Sequence, residues 1–324
     1  MSPKVREIDR VAVIGAGVMG HGLAWIFAYA GYRVSLMDIS PEVLGGAQKR
    51  FSYITDLLVE KGLASKRDSD EAVKRITTTT SLREACREVD FVIEAIPQNL
   101  DLKRKVYQQL DEACPSHAII ATIQSRISPT RLASATKRPD KILATAFVDP
   151  PYVMPVVEVI PGEATSEDTV KKAEMFIKSL GKAPVVAKQP MTMGFIQARL
   201  FNALYSEAMD IVESGIATPE EVDFVSNHGV NPKLMVMGIF GGIDHTGLDT
   251  TDGSLTYVYE NSRNIRYRPF RILREKVAKN LFGLKTGVGF YDWRKEGVEK
   301  ANRRIDEQLI AVLNAVGRLR KLSE

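Results

Sequence analysis

The sequence predicts a doubly wound, mostly parallel α/β sheet followed by an all-helical domain. Three observations predict it. Short Val/Ile-rich runs alternate with helical stretches through the first 189 residues, as parallel strands joined by helical crossovers require. A Gly15-x-Gly17-x-x-Gly20 turn lies between the first strand and the first helix. Beyond residue 189 the strand signal fades and apolar residues recur at the 3.6-residue period of helices.

The elements follow in order. Strands are expected at 11–15, 33–38, 76–80, 91–96, 118–123, 142–147, 155–160 and 183–188. The connection 41–75 is charged, with Leu57, Leu58 and Leu63 around Lys61, and suits a helical excursion outside the sheet. GFIQARLFNALYSEAMDIVESG reads as a helix ending at Gly215. Thr218-Pro219-Glu220-Glu221 then forms a capping box, with Thr as N-cap, Pro at the first helical position and Glu at the third. Further helices are expected at 233–244, 252–264, 270–280 and 297–318. The domains are therefore 1–189 and 190–324. The last of these helices has an apolar face that needs a partner within the chain or across subunits.

Composition narrows the class. The 324 residues are 44% hydrophobic, enough for sizeable cores, and no run of 18 apolar residues suggests a membrane span. The start, MSPKVREIDR, lacks the apolar stretch of a signal peptide. Cys86 and Cys114 are the two cysteines, and no metal-type cluster is visible, so a reducing, cytoplasmic setting without disulfides or metal is expected. The net charge of +4 is uneven: residues 261–324 hold 16 Lys/Arg against 7 Asp/Glu, and the remainder holds 28 against 33. The run Arg263, Arg266, Arg268, Arg271, Arg274 could draw in an anionic substrate or form a solvated helix face. No nucleic-acid module surrounds it, so nucleic acid is not an expected partner.

The glycine turn carries the chemistry. Gly15 permits the tight turn, Gly17 lets a pyrophosphate approach the backbone, and Gly20 lets the helix pack on the sheet. Unpaired N–H groups at the helix N-terminus hold phosphates. Asp38 ends the second strand, where an acid bonds an adenosine ribose 2′-hydroxyl. A carboxylate there, with no Arg in the next few residues, favours NAD over NADP. This constellation is a Rossmann-type dinucleotide fingerprint.

Several stretches then resemble the short-chain 3-hydroxyacyl-CoA dehydrogenase family: IGAGVMGHG, FVIEAIPQNLDLKRKV, FVDPPYVMPVVEVI, GFIQARL, MGIFGGIDHTGLDT and LKTGVGFYDW. The resemblance implies a Rossmann-type domain and a helical domain, a homodimer, and reversible hydride transfer between NAD and the 3-hydroxyl carbon of an acyl-CoA. It implies a cofactor set of Gly15, Gly17, Val18, Met19, Gly20, Asp38, Ala95, Ile96, Gln98, Lys103 and Ser125. It also implies catalytic roles for Ser125 and Glu158, with Asp149 a further candidate.

The chain departs from the family pattern in one place. The family His, a general base, is Ala146, and the Asn that follows in its motif is Asp149. The Asn of Gly-Phe-x-x-Asn-Arg is Ala198. Asn-Thr-Ser-Ser reads Ile123-Gln124-Ser125-Arg126, a Glu is Gln98 and a Pro is Ile239. Such clustering fits a natural branch with other chemistry or a rebuilt active site. Loss of the imidazole should cost alcohol oxidation about 3–5 kcal/mol. Glu158 then either sits unpaired in a partly dry cleft, with its pKa raised, or bonds backbone groups at the strand end. His21, His117, His228 and His245 read as polar filler or surface groups, with His245 the least remote substitute. An iminium carbon needs no neighbouring imidazole, and Asp149 or Glu158 could stabilise its charge. Ile123, Ala146, Met191, Met193, Ala198 and Ile239 would wall a pocket for a small ketone. Three readings follow: an acyl-CoA dehydrogenase, an NADH-dependent amine dehydrogenase or imine reductase, and a non-catalytic NAD-binding protein.

Overall fold

A computed structural model of the chain describes residues 7–123, 126–188 and 195–319. The chain divides into two compact units, 1–204 and 205–324.

In the first unit, eight strands form one sheet in the order β3-β2-β1-β4-β5-β6-β7-β8. These are β1 (Arg10–Ile14), β2 (Arg33–Met37), β3 (Ile76–Thr79), β4 (Phe91–Glu94), β5 (Ile119–Thr122), β6 (Ile142–Phe147), β7 (Val156–Pro161) and β8 (Ala183–Val186). Pairing is parallel throughout except between β6 and β7. The central strands β4, β5 and β6 are buried at every residue, which is why they read as mostly apolar runs, each with one polar residue, rather than alternating ones. The helices of this unit are α1 (Val18–Tyr29), α2 (Pro41–Glu60), α3 (Lys66–Lys74), α4 (Leu82–Cys86), α5 (Leu100–Ala113), α6 (Pro129–Ala133) and α7 (Glu167–Ser179). They cover both faces, over two cores. One is centred on Phe27, Phe91 and Phe176, the other on Tyr107, Leu110 and Ile120.

The excursion expected over 41–75 is α2 and α3. α2 buries Ala47, Phe51, Ile54 and Leu58, a helical stripe, and Trp25 of α1 donates to Thr55 Oγ1 at 3.1 Å. Each of α2 to α7 starts with a Ser or Asn side chain accepting a backbone N–H. α1 starts at Gly17 with no such bond.

The next helix, α8 (Ile196–Glu213), crosses the division: Ile196–Leu204 belongs to the first unit. The second unit holds the rest of α8, with α9 (Pro219–Val225), α10 (Asn231–Thr246), α11 (Leu248–Ser262), α12 (Arg271–Val277) and α13 (Val298–Ala315). The capping box before α9 is present in both directions, Thr218 Oγ1 to Glu221 N and Glu221 to Thr218 N. α10 departs from the expected single helix, because Gly238 takes φ 68°, ψ −178° and breaks it in two.

Asp244 organises this unit, and its sequence context gave no sign of it. It is fully buried and accepts from Phe290 N (2.8 Å), Tyr291 N (2.9 Å) and Trp293 Nε1 (2.8 Å). A Cβ at Gly283 would lie 2.2 Å from its carbonyl oxygen, and one at Gly289 2.3 Å from its Oδ1. The glycine-rich GVGFYDW segment is thus wrapped on one carboxylate. Arg266 pairs with Glu207 (3.0 Å), Arg271 with Glu275 (3.6 Å) and Arg274 with Asp252 (3.7 Å), so much of the basic run is balanced on its own surface.

Candidate active site

The glycine turn sits at the carboxyl ends of β1, β2 and β4. Gly15 has φ 103°, and a Cβ there would lie 2.8 Å from Ala95 O, so the turn needs glycine on two counts. A Cβ at Gly20 would lie 1.7 Å from Gly15 O, which makes this the contact that lets α1 reach the sheet. Gly17 differs: its Cβ would meet nothing within 4 Å. With no capping side chain and no acid in the first turn of α1, the space before Gly17, Val18 and Met19 suits a phosphate. The residues fit the dinucleotide that the pattern implies.

Asp38 is half-buried and braces the turn. Its Oδ2 accepts from Ala16 N (2.8 Å) and its Oδ1 from Ser40 N (3.0 Å). Ala95 and Ile96 line the far side of the turn, and Gln98 is exposed just beyond them.

Lys103, expected at the cofactor, has a fully buried side chain, as has Glu94. Its ammonium lies 2.6 and 2.5 Å from the Glu94 oxygens and 3.1 Å from Thr122 Oγ1, while Glu94 Oε1 also accepts from Ile96 N. Burial lowers the Lys103 pKa and Glu94 opposes this. The ammonium thus has three acceptors within the fold, and the pair shapes the end of β4 from within. The acid at the end of β4 was the missed signal.

The second half of the site is the β6–β7 pair. Ala146 and Glu158 are direct partners in its antiparallel register, so their side chains share a face. Ala146 packs with Ala144, Ile160, Ala187 and Phe195. Glu158 is 4% exposed. Its Oε1 accepts from Gln197 N in the first turn of α8 at 2.8 Å, and its Oε2 is buried with no partner among the described residues. Burial raises its pKa, partly offset by the Gln197 N–H. The two oxygens thus differ: one bonds a backbone N–H of α8, not of the strand end, and the other has no partner among the described residues.

Asp149 is exposed on the β6–β7 connection, whose Asp149–Pro150 peptide is cis. That connection packs on α1: a Cβ at Gly22 would lie 2.8 Å from Pro151 Cγ. His21, expected as filler, is half-buried beside it. Its Nδ1 is 2.6 Å from Gly17 O. Burial lowers its pKa, Arg50 pushes the same way, and the Gly17 carbonyl and Asp149 oppose them. Of the expected pocket wall, Ile123 is buried and Ala198 half-buried on α8. Ile239 belongs to the second unit, where it lines a cavity of about 470 Å³ with Lys233, Met237 and His245. Ser125, Met191 and Met193 lie outside the described residues. Among the described residues no group of three His, Cys, Asp or Glu could hold a metal ion, and no helix is long and apolar enough to cross a membrane.

Two family models cover this architecture. The 3-hydroxyacyl-CoA dehydrogenase NAD-binding domain matches residues 10–190, and the C-terminal domain of the same enzymes matches 194–293. The chain belongs to the 3-hydroxyacyl-CoA dehydrogenase family. It is 34% identical over 290 residues to a probable 3-hydroxybutyryl-CoA dehydrogenase of Bacillus subtilis, covering 90% of this chain and 99% of that one. It is 30% identical over 305 residues to the 5-formyl-3-hydroxy-2-methylpyridine 4-carboxylate 5-dehydrogenase of Mesorhizobium japonicum, covering 94% and 97%. The crystal structure of the 3-hydroxyacyl-CoA dehydrogenase of Archaeoglobus fulgidus superposes with a TM-score of 0.80 at 29% identity, over 96% of this chain and 100% of that one. Family membership makes this chain an NAD-dependent oxidoreductase.

Proposed function

We propose that the chain transfers a hydride between NAD(H) and the C3 hydroxyl or keto carbon of an acyl-CoA, with Glu158 carrying the proton that an imidazole carries elsewhere in the family. The observation behind this reading is the buried, unpartnered Oε2 of Glu158 opposite Ala146. Bound NAD supplies the hydride acceptor. The glycine turn holds its phosphates, and Asp38 is the candidate partner for its ribose. In the reducing direction, protonated Glu158 gives its proton to the keto oxygen as C3 takes the hydride. In the oxidising direction, the carboxylate removes the hydroxyl proton. The raised pKa brings the carboxyl closer to working pH, as general acid–base catalysis requires. Ser125 and Asp149 are the candidates for holding the substrate oxygen and neighbouring groups.

The same free oxygen supports a second reading, an amine dehydrogenase or imine reductase. A dry carboxylate facing an alanine favours a substrate that brings its own positive charge. The Mesorhizobium relative, named for a pyridine carboxylate, shows that the family is not confined to thioesters by name. NADH consumption with acetoacetyl-CoA, set against a simple ketone plus ammonium, separates the two. Turnover of the thioester alone is expected; turnover only with the amine donor overturns the first reading. A cytoplasmic homodimer is part of this proposal. It rests on the resemblance, on the cysteine usage and on exposed Phe224, Leu234, Met235 and Phe240 of the second unit, and sedimentation reads the assembly state directly.

A further inference from the structure

Arg50 lies twelve residues beyond Asp38, outside the dinucleotide fingerprint, yet its side chain returns from α2 to the glycine turn. Nη2 donates to Ala16 O at 3.2 Å and to Val43 O at 2.7 Å. Nε is buried and has no partner among the described residues. Among the described residues no carboxylate forms an ion pair with this guanidinium. Its charge is felt by His21 in the first turn of α1. Two positive features, a guanidinium and an uncapped helix N-terminus, therefore share one small region. Each repels the other until an anion arrives.

The helix carrying Arg50 is built around it. Gly45 and Gly46 stand in the interior of α2, where each costs about 1 kcal/mol relative to Ala. A Cβ at Gly46 would lie 3.0 Å from Arg50 Nη1. The glycine gives the guanidinium its place across the helix, which explains a residue that helix propensity disfavours. Beside it, the open space before Gly17 is where a phosphate would approach.

We propose that Arg50 is a phosphate ligand of this enzyme, closing over the pyrophosphate of the dinucleotide from the α2 side while the α1 amides hold it from the other. This rests on NAD being held at the glycine turn. The two carbonyl bonds of Nη2 fix the plane of the guanidinium, and Nη1 remains to donate to phosphate oxygens.

The test is binding of ADP-ribose, ADP, adenosine, coenzyme A and 2′,5′-ADP by titration calorimetry, with wild type, Arg50→Met, Arg50→Lys and Gly46→Ala. In Arg50→Met, ADP-ribose and ADP are expected to bind about tenfold or more weakly, adenosine unchanged. Arg50→Lys should recover part of the loss. Gly46→Ala keeps the charge and favours the helix, so it should weaken ADP-ribose without lowering the melting temperature. Unchanged ADP-ribose affinity in Arg50→Met overturns the proposal. So does an equal loss for adenosine, which would make Arg50 a brace for the turn, or a loss confined to coenzyme A or to 2′,5′-ADP, which would assign the guanidinium to another phosphate. If wild type fails to bind ADP-ribose at all, the cofactor reading itself fails, a separate result.

Discussion

Glu158→Gln tests the centre of the proposed chemistry, because it alters charge while keeping shape. The Gln carbonyl oxygen can still accept from Gln197 N, as Oε1 does now at 2.8 Å. What changes is the other atom, which is buried and has no partner among the described residues. A positioned acid–base group contributes about 10²–10⁴-fold, so turnover of the preferred substrate should fall by that factor, about 3–5 kcal/mol in barrier. Stability should move the other way. The Glu158 pKa in the folded chain is raised above the ordinary 4.5. The folded state therefore binds more protons than the unfolded state between those two values, and stability falls as pH rises through that window. Below 4.5 the carboxyl is neutral in both states and the penalty is absent. Gln does not titrate, so the slope disappears. It still leaves the amide NH2 unpaired, so it relieves only the excess cost of burying the charge. Thermal melts of both proteins from pH 4 to pH 8, with NADH-linked rates alongside, read both effects. Wild-type rates in the variant would refute the proton-carrying role. A stability difference that did not grow with pH would refute the dry, unpaired carboxylate.

Two glycines of one motif should respond in opposite ways. Gly17→Ala meets open space at φ −67°, so stability should change by less than about 1 kcal/mol while ADP-ribose binding weakens. Gly20→Ala sets a Cβ 1.7 Å from Gly15 O and should unfold the turn, read as lost protein yield and a collapsed melt; equal behaviour of the two variants would contradict the geometry. Asp244→Asn should destabilise the second unit, since whichever way the amide turns, at least one of Phe290 N, Tyr291 N and Trp293 Nε1 faces an N–H instead of an oxygen. The cost is about 1–3 kcal/mol for each orphaned donor, followed by Trp293 fluorescence in a urea titration, and an unchanged midpoint would refute the assignment.

The sequence by itself determined the alternation of strands and helices, the glycine turn and the alanine at position 146. These are local matters: period, turn chemistry and residue identity are written in consecutive residues. The tertiary structure decided which charged groups meet. Lys103 was legible as a lysine near a motif, but its pairing with buried Glu94 depends on α5 lying against β4. Arg50 carried no signal because its partner, Ala16 O, is 34 residues away and lies on another element. Asp244 was hidden for the same reason, with its donors 46 to 49 residues further on. Period and propensity act within a few residues, whereas the free energy of a buried charge is set by whatever the fold brings beside it.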